Sequence, residues 1–97
     1  MGDKTKPIAN PLVVLREEFD DWAILFNPDT ADAVGINPVG VAVWKLIDGH
    51  HNLEEIIAKI KKHFSEVPDS IIEDIKTFVK NLEERGLIGY ELKSSDK

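Results

Sequence analysis

The side chains with most chemical potential lie in two short stretches. His50 and His51 follow Asp48, a neighbourhood that invites a metal. Adjacent imidazoles do not face one another on a helix, and no third ligand stands at a helical or hairpin spacing, so the pair reads as a solvated turn between two helices. Glu17, Glu18, Asp20 and Asp21 form a carboxylate cluster. A calcium loop needs alternating ligands, a central glycine and a closing glutamate about twelve residues in. Both spacing and glycine are missing, and the stretch reads as a solvated hairpin turn. His63 falls near a helix end, where an imidazolium complements the dipole. There is no cysteine, which removes disulfides, thiolate zinc sites and cysteine nucleophiles. Gly35, Gly40, Gly49, Gly86 and Gly89 stand singly rather than in a phosphate-cradling loop, and no serine has a visible base. The expectation is a protein that is not an enzyme and needs neither metal nor cofactor.

The elements that would position a binding surface fit one domain. A chain of 97 residues has room for a single core. Residues 1–10 and 93–97 are polar and aperiodic and are expected to fray, leaving a domain over 11–92. Twelve Lys+Arg against eighteen Asp+Glu give a net charge of −6, which opposes non-specific binding to nucleic acid or an anionic membrane. No apolar run reaches the roughly 20 residues of a bilayer span. The amino terminus carries no apolar signal region, so a cytoplasmic location is expected.

Between the ends the hydrophobic period changes once. Leu12–Leu15, Trp22–Phe26 and Ala33–Ile36 are short β-branched or aromatic runs separated by turn residues, an antiparallel meander. From Asn37 the period is helical. Asn37-Pro38 offers an N-cap followed by proline at the first helical position. The first helix should run to about Ile47 and, with only Lys45 clearly polar, lie most deeply buried. Asn52 and Glu55 have the form of a capping box for a second helix with Leu53, Ile56, Ile57, Ile60 and Phe64 on one stripe. Ser70 and Glu73 suggest another box for a third, whose apolar face carries Ile71, Ile75, Phe78, Val79 and Leu82. Arg85-Gly86 should close it, with Leu87-Ile88 returning to the core. The fold class is α+β: a three-stranded antiparallel meander, then three helices.

A meander has two edges, and an open edge is a row of unpaired backbone donors and acceptors. The third strand has neither lysine nor proline to block pairing. An extended peptide could add there as a fourth strand, with the third helix as the neighbouring wall.

Asn37-Pro38-Val39-Gly40-Val41-Ala42-Val43-Trp44-Lys45-Leu46-Ile47-Asp48-Gly49 resembles the Leu-Asn-x-x-(Gly/Ala)-x-x-(Ile/Val)-Trp-x-Leu-(Ile/Leu)-Asp-Gly centre of PqqD-like proteins, with Ile36 where the family commonly has leucine. Pro11–Val14 upstream and Phe78–Ile88 downstream are similar to the same family's first strand and carboxyl end. The resemblance implies a winged helix-turn-helix architecture. It also implies a peptide-binding carrier that takes the leader of a ribosomally synthesised precursor peptide as an added strand and presents it to a modifying enzyme, often a radical S-adenosylmethionine protein. Carried onto this chain, the contacts would be Ala33, Val34, Gly35 and Ile36 on the strand and Ile71, Asp74, Ile75, Phe78 and Leu82 on the helix, with Asn81 and Arg85 flanking. For Ile75, Phe78 and Leu82 the alternative is plain core packing. Two rival readings share the architecture. A winged-helix nucleic-acid regulator should carry a basic recognition helix, whereas Glu73, Asp74, Glu83 and Glu84 outweigh Lys76, Lys80 and Arg85 on helix three. A homodimer pairing edge to edge uses the same open strand, so the free protein is expected as monomer or homodimer.

Overall fold

The computed structural model describes residues 6–64 and 66–90. The expected tail, 93–97, lies outside them. Elements follow the order β1 (Pro7–Ala9), β2 (Val14–Glu17), β3 (Ala23–Asn27), β4 (Asp32–Ile36), α1 (Pro38–Lys45), α2 (Leu53–His63), α3 (Ile71–Glu84) and β5 (Ile88–Tyr90). The architecture is α+β, with an antiparallel sheet in the order β2-β3-β4 and a separate antiparallel pair β1-β5.

Alternation on β3 sets the sheet's two faces. Ala23, Leu25 and Asn27 are buried, while Phe26 is exposed. Leu25 pairs with Leu15 on one side and Val34 on the other, and Ala23 with Ile36. These residues face the helices. Val14, Phe26 and Ala33 share the opposite, uncovered face. The β2–β3 turn places Asp20 and Asp21 at φ 59° and 66°, a left-handed conformation that aspartate tolerates, and Glu18 N donates to Trp22 O at 2.7 Å. Asn27, buried, closes the β3–β4 turn: its Oδ1 accepts Asp29 N at 2.9 Å and its carbonyl accepts Ala31 N at 2.7 Å.

Several boundaries differ from expectation. The first meander strand starts at Val14 rather than Leu12, because Asn10 folds the chain over first: its Oδ1 accepts Leu12 N and its carbonyl Val13 N, each at 3.0 Å. Residues 7–9, expected to fray with the rest of 1–10, are β1, in register Pro7↔Tyr90, Ile8↔Gly89 and Ala9↔Ile88. Pro7 is among the fully buried side chains, and as the first residue of a strand its missing N–H is no defect. The same strand shortens α1, which stops at Lys45 instead of Ile47. Ile47 O accepts Ala9 N at 3.1 Å and Gly49 N donates to Pro7 O at 2.9 Å. Ile47 is thus drawn out of the helix and, with Asp48 and Gly49, pairs with β1.

The caps explain the helix starts. Asn37 Oδ1 accepts Gly40 N at 2.8 Å, and the Asn52/Glu55 box closes reciprocally, each bond 2.8 Å. The box expected at Ser70 does not form. Ser70 has ψ near 1°, and its hydroxyl donates to Asp74 at 3.1 Å rather than capping the helix. At the far end of α3, Gly86 adopts φ +77° and Leu87 N returns to Leu82 O at 2.9 Å, turning Leu87 and Ile88 into the core as expected. That core lies between the sheet's inner face and the three helices, with Leu25, Val43, Ile56, Ile60, Ile75, Leu82 and Leu87 fully enclosed.

Candidate functional site

The chemically suggestive side chains serve turns. Asp48 Oδ1 accepts His50 N at 2.9 Å and the His51 ring Nδ1–H at 3.0 Å. Partial burial pushes the Asp48 carboxyl up, but the His50 amide and the His51 ring outweigh it and hold the group below its ordinary 3.8. In the acidic stretch, Glu17 pairs with Lys45 at 3.2 Å and Glu18 with Arg16 at 3.3 Å. Among the described residues no three His, Asp or Glu side chains gather as a metal site.

The sheet edges are unlike. The β2 edge carries Arg16 and Glu17, both in exposed ion pairs, and charge of this kind blunts strand pairing. The β4 edge carries Ala33, Val34, Gly35 and Ile36 and, among the described residues, pairs only with β3. Its one charge, Asp32, is answered by Arg85 at the end of α3, whose Nη1 lies 3.0 Å from both carboxylate oxygens.

Alongside this edge runs a groove in two parts. Between β4 and the carboxyl half of α3 lies a cavity of about 470 Å³ lined by Val34, Gly35, Phe78, Asn81, Leu82, Glu84 and Arg85. Between the start of α1 and the amino half of α3 lies another of about 290 Å³, lined chiefly by Val39, Gly40, Ile71, Asp74, Ile75 and Phe78. Phe78 is common to both, mostly but not fully buried, and forms the wall where they meet.

The nine residues expected from the sequence divide accordingly. Val34 and Gly35 meet Phe78 and Leu82 in the first cavity; Ile71, Asp74, Ile75 and Phe78 share the second. Ile36, Ile75 and Leu82 are no more than 3% exposed, so core packing accounts for most of their surface, and the latter two give the groove only its floor. Ala33 is exposed on the outer sheet face and, like Ile36, lines neither cavity. Asp74 stands on the rim with its carboxylate bonded to Ser70. Asn81 and Arg85, flanking in the sequence, are lining residues.

Sequence reasoning missed the α1 contribution of Asn37, Val39 and Gly40. Gly40 is decisive: a Cβ there would stand 3.1 Å from Ile36 Cβ and 3.3 Å from Phe78 Cζ. Glycine therefore lets α1 approach β4 and α3 and leaves room for the Phe78 ring. A lone glycine in the first turn of an otherwise apolar helix was the available signal.

The chain matches the family model described as coenzyme PQQ synthesis protein D (PqqD) over residues 23–88. A curated relative, the PqqA binding protein of Rhizobium meliloti (strain 1021), is 34% identical over 87 residues, covering 90% of this chain and 87% of its own. Among solved structures, TbiB1 in complex with the TbiA(beta) leader peptide superposes with a TM-score of 0.67 at 24% identity, over 91% of this chain and 99% of that one. The heterocyclase TruD gives 0.64 at 15% identity, over 94% of this chain and 12% of its own. At these identities the two structures share the fold.

Proposed function

The chain belongs to the PqqD family, and from that premise we propose that it binds the leader segment of a ribosomally synthesised precursor peptide as a fourth strand on β4 and hands the peptide to a modifying enzyme. The observation that carries this reading is the β4 edge, without lysine or proline, lying directly beside a groove along α3 whose apolar residues Val34, Phe78 and Leu82 are flanked by Asn81, Glu84 and Arg85. Backbone pairing to β4 supplies affinity and the groove supplies selection. Five residues of β4 accommodate a leader strand of about 16 Å. Its alternate side chains enter the cavity at Val34 and Phe78, and the others extend the outer face beside Ala33. The second cavity takes the leader's continuation along α3 towards Ile71.

The relative's name, PqqA binding protein, and the fold shared with TbiB1, solved with a leader peptide, support a peptide ligand. The fold shared with a heterocyclase supports a peptide-modifying enzyme as the second partner; a radical S-adenosylmethionine protein is the specific class proposed. The chain's own role is non-enzymatic: it supplies a binding surface.

The test is an NMR titration of ¹⁵N-labelled protein with the leader half of a candidate precursor peptide. Saturable shifts at Ala33–Ile36 and along Ile71–Leu82 are expected. Shifts confined to other elements, or shifts with duplex DNA alone that fade with salt, would overturn the reading.

A further inference from the structure

We propose that the groove between α1 and α2 docks an acidic amphipathic helix of the peptide-modifying enzyme; naming that enzyme as the bearer rests on the leader-binding reading. The sequence already concentrates charge here. Residues 56–63, Ile-Ile-Ala-Lys-Ile-Lys-Lys-His, contain three lysines and a histidine and no carboxylate, in a chain whose net charge is −6. Lys59, Lys62 and His63 stand three and four residues apart and so share a face of α2. Across from them Lys45 ends α1. The space between is a cavity of about 630 Å³ with Ala42, Leu46 and Ile60 as its floor and those four cationic or imidazole side chains as its rim.

A helix dipole draws cations to the last turn of α2, which accounts for Lys61, Lys62 and His63. It does not account for Lys59, for Lys45 on another helix, or for the apolar floor beneath them. Lys45 is partly answered by Glu17 at 3.2 Å, whereas among the described residues no carboxylate pairs with Lys59 or Lys62. The floor calls for apolar side chains and the rim for carboxylates. A polynucleotide brings the charge without the apolar anchors. A helix with leucine-like residues at i, i+3 and i+4 flanked by Glu or Asp brings both, and a furrow between two helices suits its ridge.

The geometry also permits both partners at once. Val39, Gly40 and Val43 of α1 face the peptide groove, while Ala42, Lys45 and Leu46 face this one, and the two sites share no lining residue. An enzyme held at α1–α2 leaves β4 and α3 free for the leader.

The experiment uses the full ¹⁵N-labelled chain and a synthetic amphipathic helix with leucines on one face flanked by glutamates. Comparison ligands are its Glu→Gln counterpart, an oligoglutamate and a short DNA duplex. Saturable shifts at Ala42, Lys45, Leu46 and Lys59–His63 are expected, with affinity falling roughly tenfold in the Lys59→Glu/Lys62→Glu variant. Leader affinity, measured on the same variant, should stay within about twofold. Equal binding by the Gln counterpart or by oligoglutamate, tighter binding by the duplex, or shifts elsewhere would overturn the proposal. Acidic-helix binding here without leader binding at β4 would support the dock while removing the leader reading; leader binding alone would do the reverse.

Discussion

Phe78→Ala separates groove from core, provided it is compared with its neighbour Val79→Ala. Truncating a fully buried phenylalanine costs about 3–5 kcal/mol. Phe78 is mostly but not fully buried, so somewhat less than that, roughly 2–4 kcal/mol, is expected. Val79 is 3% exposed and lines neither part of the groove. Its two lost methyl equivalents at about 0.8 kcal/mol each, plus a small residual cavity, come to roughly 1.5–2.5 kcal/mol. Urea unfolding should therefore show both variants clearly destabilised, Phe78→Ala at least as much as Val79→Ala. Calorimetric titration with a leader peptide should separate them far more sharply. Phe78 is the wall common to both cavities, and truncation of such a central anchor costs about 2 kcal/mol or more of binding, a loss of about thirtyfold. Val79→Ala should bind within a factor of about two. If Phe78→Ala kept its affinity within threefold (~0.65 kcal/mol), or Val79→Ala lost as much, the groove would not be where the peptide's side chains sit.

Gly40→Ala should lose up to about 2 kcal/mol, because overpacking against Ile36 and Phe78 at about 1–3 kcal/mol outweighs a helix-propensity gain of about 1; a variant more stable than the parent in urea would refute the close approach. Tyr90 is the chain's single tyrosine, and burial, then the Glu83 carboxylate, raise its phenol above 10.0. Since the folded state favours the protonated form, its contribution to stability is complete below 10.0 and is lost as pH rises through the folded value. An ultraviolet titration should place the midpoint above 10.0, and Glu83→Gln should lower it; a midpoint at or below 10.0 would place the ring in water. Deleting residues 1–10 should cost roughly 2–4 kcal/mol through the main-chain bonds of Ala9, Asn10 and Pro7 to Ile47, Leu87 and Gly49. A loss under about 0.5 kcal/mol in urea would mean that β1 does not hold the domain closed.

The helices and the meander were legible because each carries its own local signal: Asn37 and Asn52 as caps, apolar stripes at helical spacing, and turn residues between β-branched runs. The β1–β5 pair was not. Pro7-Ile8-Ala9 and Ile88-Gly89-Tyr90 are too short to display alternation, and their stability comes from joining opposite ends of the chain. The shortened α1 follows from the same unseen pairing. For the site, the apolar stripe of α3 was visible, but not which side of it the rest of the domain would cover. That depends on where α1 comes to rest, which places Ile75 and Leu82 inside and leaves Phe78 partly exposed. The contact between Gly40 and Phe78 is tertiary and has no counterpart in the spacing of either residue.

An unprotected edge invites a second copy of the chain as readily as a peptide, and the geometry discriminates between them. Antiparallel pairing of β4 with its own copy about a two-fold axis keeps the two inner faces on the same side of the sheet, so both α3 helices would need the space beside one shared seam. The copy's Val34 and Ile36 already face its own helices, and its Ala33 and Gly35 have almost nothing to offer a cavity. Self-pairing thus gains backbone hydrogen bonds, worth about 1 kcal/mol each at best, and leaves the groove at Phe78 empty. A free peptide makes the same backbone bonds and still has every alternate side chain available for the groove. The feature that makes β4 a hazard, an edge without lysine or proline whose one charge, Asp32, is already answered, becomes selective only because a half-covered helix stands next to it, and Arg85 on Asp32 ties that helix to the strand.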